Sequence, residues 1–170
     1  MIEHNGSYLL VIEDLPLLLD LARDAYANET EIVEDIPDPE PENLRAVRTI
    51  FETAAGEWYG LERHPKLEDK AAHIFYSLIK NHPLQNGNKR LAVICSTFLV
   101  IVNVGYAARQ KGVYLSPTIN FSQINFDTFY DLTLQAEATD PVDYERVKAE
   151  LSLFFAKFAD DLEIVESSGE

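Results

Sequence analysis

The chain has 170 residues, 46% hydrophobic and 11% aromatic, which is one domain's worth of sequence with enough apolar material for a core of several helices. Its formal net charge of -15 excludes nucleic acid as a bulk partner, because a phosphate backbone demands a basic face. The single cysteine, Cys95, excludes a disulfide framework and points to a reducing, cytoplasmic setting.

Taken in order, the first residues carry little beyond a short strand around Ser7–Ile12, too short an apolar run for a secretion signal. Pro16 suits a first helical position, and Leu17, Leu18, Leu21 and Ala25 predict an amphipathic helix to about Asn28. Residues 29–42 hold seven acids and three prolines and read as a solvated, extended linker. From Pro41 to Tyr59, the spacing of Leu44, Val47, Phe51, Ala54 and Trp58 predicts a core helix ended by Gly60, with Trp58 and Tyr59 as packing residues. A second core helix spans Lys66 to Lys80, with Leu67, Ala71, Ile74, Leu78 and Ile79 at helical spacing.

Leu91 to Ala108 is 18 residues without a charge, at the lower edge of a membrane span. Ser96, Thr97 and Asn103 interrupt it, and Gly105 reads as a helix end, so a buried core helix is predicted and no membrane. Phe126, Phe129, Tyr130, Leu132 and Thr133 predict a helix to about Ala138. Asp140 and Pro141 then start a last helix with Val142, Val147, Leu151, Phe154 and Phe158 as its buried stripe. The chain is therefore all-α, about five or six helices around a central buried helix, with at most a minor β-hairpin.

The chemistry lies between the second and third core helices, in Asn81-His82-Pro83-Leu84-Gln85-Asn86-Gly87-Asn88-Lys89-Arg90. Pro83 biases His82 away from helical geometry, so the imidazole is presented from a loop. Asn86-Gly87-Asn88 is turn chemistry, and the next helix starts near Asn88 with Lys89 and Arg90 in its first turn. Cations are disfavoured at a helix N-terminus unless an anion is bound there, most simply a phosphate. A histidine facing a phosphate cradle is the minimum equipment for phosphoryl or nucleotidyl transfer to a hydroxyl. His64, His73 and His82 are spaced nine and nine apart, which matches no common zinc pattern, and His73 reads as a core or surface histidine.

His82 to Arg90 resembles the nine-residue signature of the Fic/Doc family, H-P-F-x-[D/E]-G-N-[G/K]-R, with Leu84 for the phenylalanine and Asn86 for the acid. Leu67-Glu68-Asp69-Lys70-Ala71-Ala72 and Leu78-Ile79-Lys80-Asn81 look like its Doc-like (death-on-curing) branch. The likeness is strong over residues 64–106, looser to 158 and weak before 42. It implies a Fic-fold domain at 42–159; composition adds an N-terminal extension at 1–41 (short helix plus acidic linker packed on the core) and an acidic tail at 160–170, ending Ser-Ser-Gly-Glu, that should be disordered.

It also implies that His82 is the catalytic base, taking a proton from a Ser, Thr or Tyr hydroxyl of a target protein that attacks ATP. Gly87, Asn88, Lys89 and Arg90 would hold the phosphates, and Asn86 would stand where the family's acid ligates Mg²⁺, a weaker, uncharged ligand. Lys89 follows the Doc-like pattern of phosphate transfer and Gly87 the AMP-transferring one, so both reactions stay open. By the same resemblance the protein is the toxin of a toxin–antitoxin pair, acting on a target such as a translation factor, with an antitoxin segment folding across its surface. The alternative implied by Asn86 and Leu84 is a catalytically weak or inactive nucleotide- or protein-binding module. A pattern that blocks the nucleotide site in some relatives, [S/T]-x-x-x-E-[G/N], is matched imperfectly at Thr30–Glu34 and Thr53–Glu57, which read as an acidic loop and a helix face.

Overall fold

The computed structural model describes residues 1–4, 6–25, 35–115, 126–162 and 164–166. Within them are six α-helices: α1 (Leu15–Asp24), α2 (Pro41–Ala55), α3 (Leu67–Asn81), α4 (Asn88–Gln110), α5 (Phe126–Ala138) and α6 (Tyr144–Asp160). The fold is all-α. Three two-stranded antiparallel ladders accompany the helices: β1 (Ile2–His4) with β2 (Ser7–Leu9), β3 (Glu57–Trp58) with β4 (Leu61–Glu62), and β5 (Val113–Leu115) with β6 (Ile164–Glu166).

Helices α3 and α4 form the centre. α3 packs against α2, α4, α5 and α6, while α4 also meets α1 and β2. The heart of the core is Ile74, Phe75, Leu78, Ile79, Leu91, Ile94 and Leu99, all at 1% exposure or less. Phe155 of α6 closes it from one side, edge-on to Phe75 with ring centroids 5.7 Å apart. The polar residues of α4 are satisfied internally. Ser96 Oγ donates to Ala71 O at 3.1 Å, and Thr97 Oγ1 donates to Val93 O at 2.7 Å. Asn103 staples the N-terminal hairpin to mid-helix, accepting from Tyr8 N at 2.8 Å and donating to Tyr8 O at 3.0 Å. α4 is long and apolar enough to cross a membrane by length and composition, and 61% of its apolar window is buried inside the protein.

Several expectations are corrected. α2 ends at Ala55 rather than Tyr59, because Gly56 turns extended and the chain enters the β3–β4 hairpin. Tyr59 and Gly60 both take positive φ, 52° and 77°, as a two-residue hairpin turn requires. Trp58 and Tyr59 are therefore 58% and 94% exposed, not core residues. Gly105 lies inside α4, which runs on to Gln110 and stops only where Gly112 takes φ 74°. Val142 is 91% exposed, because Pro141–Asp143 forms a separate 3₁₀ turn before α6. In the tail expected to fray, the β-branched pair Ile164-Val165 lies in a strand in register with β5.

Candidate functional site

α3 ends at Asn81, and His82 caps it in the left-handed conformation, φ 44° and ψ 55°. A proline at 83 favours extended geometry for the residue before it, so this is a departure from expectation and a strained backbone, on the order of 1–3 kcal/mol. The loop behind it is held on two sides. Asn43 Nδ2, at the start of α2, donates to Pro83 O at 2.7 Å. Asn88 is buried and spends its whole side chain on one residue, accepting from Leu84 N at 2.9 Å and donating to Leu84 O at 2.8 Å. The loop between Leu84 and Asn88 is thereby closed as a ring, with Leu84 itself 5% exposed in the core.

Gly87 is the N-cap of α4 at φ 85°, ψ 10°. The helical ladder begins with Leu91 N donating to Gly87 O at 2.9 Å, so the amides of the preceding first turn are those a bound anion would use at any helix N-terminus. Gly87 N itself donates to Asn86 Oδ1 at 2.7 Å, and Asn86 Nδ2 donates to Asp35 O at 3.3 Å. The side chain at the acid position of the signature is thus engaged with backbone on both its atoms. Among the described residues no three His, Cys, Asp or Glu side chains gather in a way that could hold a metal ion.

A hollow of about 520 Å³ opens over this loop. His82, Gln85, Asn86, Gly87, Asn88, Lys89 and Arg90 line it from one side, with Val93 of α4 and Tyr130 and Thr133 of α5 forming the rest of the wall. All six sequence-predicted site residues are therefore brought together. Two α5 residues of the wall, Tyr130 and Thr133, come from a helix that the sequence assigned only to the core, and Glu137 of the same helix reaches the site through Lys89. Glu137 Oε2 lies 2.7 Å from Lys89 Nζ, and Lys80 Nζ donates to the Glu137 carbonyl at 2.8 Å. The Lys89 ammonium, hydrogen-bonded to it, holds the Glu137 carboxyl below the usual carboxylate range, with His82 and Lys80 adding to the effect. Residues 130, 133 and 137 fall on one helical face, but it is tertiary packing that sets that face over the loop.

The other histidines assemble elsewhere. His64 and His73 stack with ring centroids 4.6 Å apart at 28°, and His64 Nε2 and His73 Nδ1 are buried without a hydrogen-bond partner. Burial pushes both imidazoles down to about 4, helped at His64 by Lys148 and Arg63 and at His73 first by His64. The two rings pack face to face in the interior, away from the hollow's lining. Of the two matches to the blocking pattern, Thr30–Glu34 lies outside the described residues. Glu57 sits in β3, 3.6 Å from His4 Nε2 and away from the hollow's lining.

The fold and the loop together define a class: a helical bundle in which a histidine closes one helix and an amide-rich turn with two cations opens the next. The model of the Fic/DOC family matches residues 14–100, just over half of the chain, and the protein belongs to that family. It is similar to Toxin Doc of Mycolicibacterium smegmatis, 36% identical over 99 residues. That match covers 58% of this chain and 65% of the relative, so the chain spans slightly less than two thirds of the relative's length. No solved structure gives a significant match.

Proposed function

We propose that this protein is a Doc-like transferase that moves a phosphate or an AMP group from ATP to a hydroxyl side chain of a target protein. The observation that carries the reading is the convergence of His82, the first turn of α4 and the Lys89 and Arg90 side chains on one open hollow. In this reading the His82 imidazole accepts the hydroxyl proton as the oxygen forms its bond to phosphorus, and ADP or pyrophosphate leaves with the electron pair of the broken P–O bond. The first-turn amides and the Arg90 guanidinium stabilise the charge on the transferring group. Lys89 reaches the phosphates by exchanging the Glu137 carboxylate for a phosphate oxygen, and a half-exposed pair of this kind is worth only roughly 0–1 kcal/mol, so the exchange is cheap. Mg²⁺ enters as part of the nucleotide substrate, held by its phosphates.

The name of the mycobacterial relative supports a role as the toxin of a toxin–antitoxin pair, with an antitoxin as partner; the target in this reading is a hydroxyl-bearing protein, such as a translation factor. A second reading, a nucleotide- or protein-binding module without transfer activity, is favoured by one observation: Asn86 stands in the acid's place with its amide tied to backbone. Incubation with cell lysate and ATP labelled at the α or the γ phosphate separates these, beside a His82→Ala control. Label from γ means phosphate transfer and label from α means AMP transfer, each lost in the control. No label with Mg²⁺ or Mn²⁺ rejects the transferase and leaves the binding module.

A further inference from the structure

The short stretch just before α2 is the unexpected participant in the site. Ile36, flanked by Asp35 and Pro37 in an acidic, proline-rich stretch, is fully buried. Its side chain lies directly behind Gly87. A Cβ on Gly87 would meet Ile36 Cγ1 at 2.6 Å, Cδ1 at 2.7 Å and Cγ2 at 3.2 Å. Gly87 is thus required for two reasons, its positive φ and the space Ile36 takes.

The backbone around Ile36 is anchored on both flanks. Arg23 of α1 donates from Nε and Nη2 to Ile36 O at 3.0 and 2.7 Å, and its Nη2 also reaches Asp38 Oδ1 at 2.9 Å. On the other side Asn86 Nδ2 donates to Asp35 O. α1 in turn packs on α4. A continuous physical path therefore runs from the α1 guanidinium through Ile36 to the glycine that opens α4. The Arg23 charge is secure, since its bonds to Asp38 and Asp20 raise its already high pKa.

We infer that Ile36 is a positioning residue of the anion site: it wedges Gly87 into its left-handed conformation and so sets the aim of the first-turn amides of α4. The inference rests on the reading of the hollow as a nucleotide site for its functional consequence, but not for its structural one. Removing the wedge leaves a void behind Gly87, and the loop gains freedom where a phosphate needs fixed donors.

The test compares Ile36→Ala and Ile36→Val with Leu18→Ala, a truncation of a fully buried α1 residue in the general core. Two quantities are read at a temperature where all variants are folded: ATP affinity by calorimetry, and amide hydrogen exchange at residues 85–90 against α6. Ile36→Ala is expected to weaken ATP on the order of tenfold and to speed loop exchange selectively. Ile36→Val, which keeps both γ carbons, stays near wild type, and Leu18→Ala lowers the melting temperature without touching ATP affinity or loop exchange beyond the global change. If Ile36→Ala and Leu18→Ala behave alike on both readouts, the inference is overturned. If the wild type itself binds no ATP, the nucleotide reading fails, and loop exchange alone then decides whether Ile36 holds Gly87.

Discussion

The ring closed by Asn88 offers a stringent test, because one side chain supplies both of its hydrogen bonds. Asn88→Ala strands the Leu84 N–H and C=O in a buried setting, where each unpaired group costs about 1–3 kcal/mol, so a loss of about 2–6 kcal/mol is expected. Asn88→Asp is more discriminating, being nearly isosteric. At neutral pH it keeps the bond from Leu84 N but sets a carboxylate oxygen against Leu84 O, and the new carboxyl's pKa must rise in the folded state. A group whose folded pKa is raised is relatively stabilised as pH falls, so the penalty of Asn88→Asp against wild type at matched pH should shrink between pH 7 and pH 4. Urea unfolding followed by circular dichroism measures both variants. Equal stability of Asn88→Ala and wild type, or an Asn88→Asp penalty that grows on acidification, would refute the assignment of both bonds to this residue.

Glu137→Gln keeps an acceptor for Lys89 while removing the charge that competes with phosphate, so ATP should bind on the order of threefold tighter, the gain vanishing in the Lys89→Ala background. Weaker binding in Glu137→Gln would show that the carboxylate orients Lys89 rather than competing for it. The stacked His64–His73 pair, faced by Lys148, Arg63, Lys70 and Asp69, is protonated more easily unfolded than folded, so stability should fall as pH drops from about 6.5 toward about 4. A His64→Gln/His73→Gln variant should flatten that slope in thermal melts, and an unchanged slope would assign it to carboxylates instead. Asn86→Asp should strengthen Mg²⁺-dependent nucleotide binding while losing the bond to Asp35 O, a trade visible as higher affinity with a lower melting temperature. An affinity that does not respond to Mg²⁺ in this variant would mean that position 86 never faces the ion.

What could be read from sequence follows from how each signal arises. α3 and α4 are legible because burial imposes a helical spacing on many residues at once, Leu67 through Ile79 and Leu91 through Val104. The loop is legible because its turn and its paired cations make chemical sense only together. Trp58 misleads because it continues the α2 spacing, although the decisive feature is the Tyr59-Gly60 turn, which closes a hairpin instead of a helix. His82 takes left-handed geometry against the local bias of Pro83, and the bonds on Pro83 O and Leu84 that hold the chain after it come from Asn43 and Asn88. Ile36 and Glu137 give almost no sequence signal. One is an apolar residue in an acidic stretch, the other an acid on a helix, and only tertiary packing brings each to the loop.

The central claim, that imidazole, amides and cations serve one ligand, is tested most directly by titrating isotope-labelled protein with ATP and following amide and imidazole resonances. The His82 ring and the amides from Gly87 to Arg90 should shift together along one binding curve, with Tyr130 following and the His64–His73 pair unmoved. Shifts confined to other surfaces, or His82 and the Gly87–Arg90 amides responding with different affinities, would contradict it.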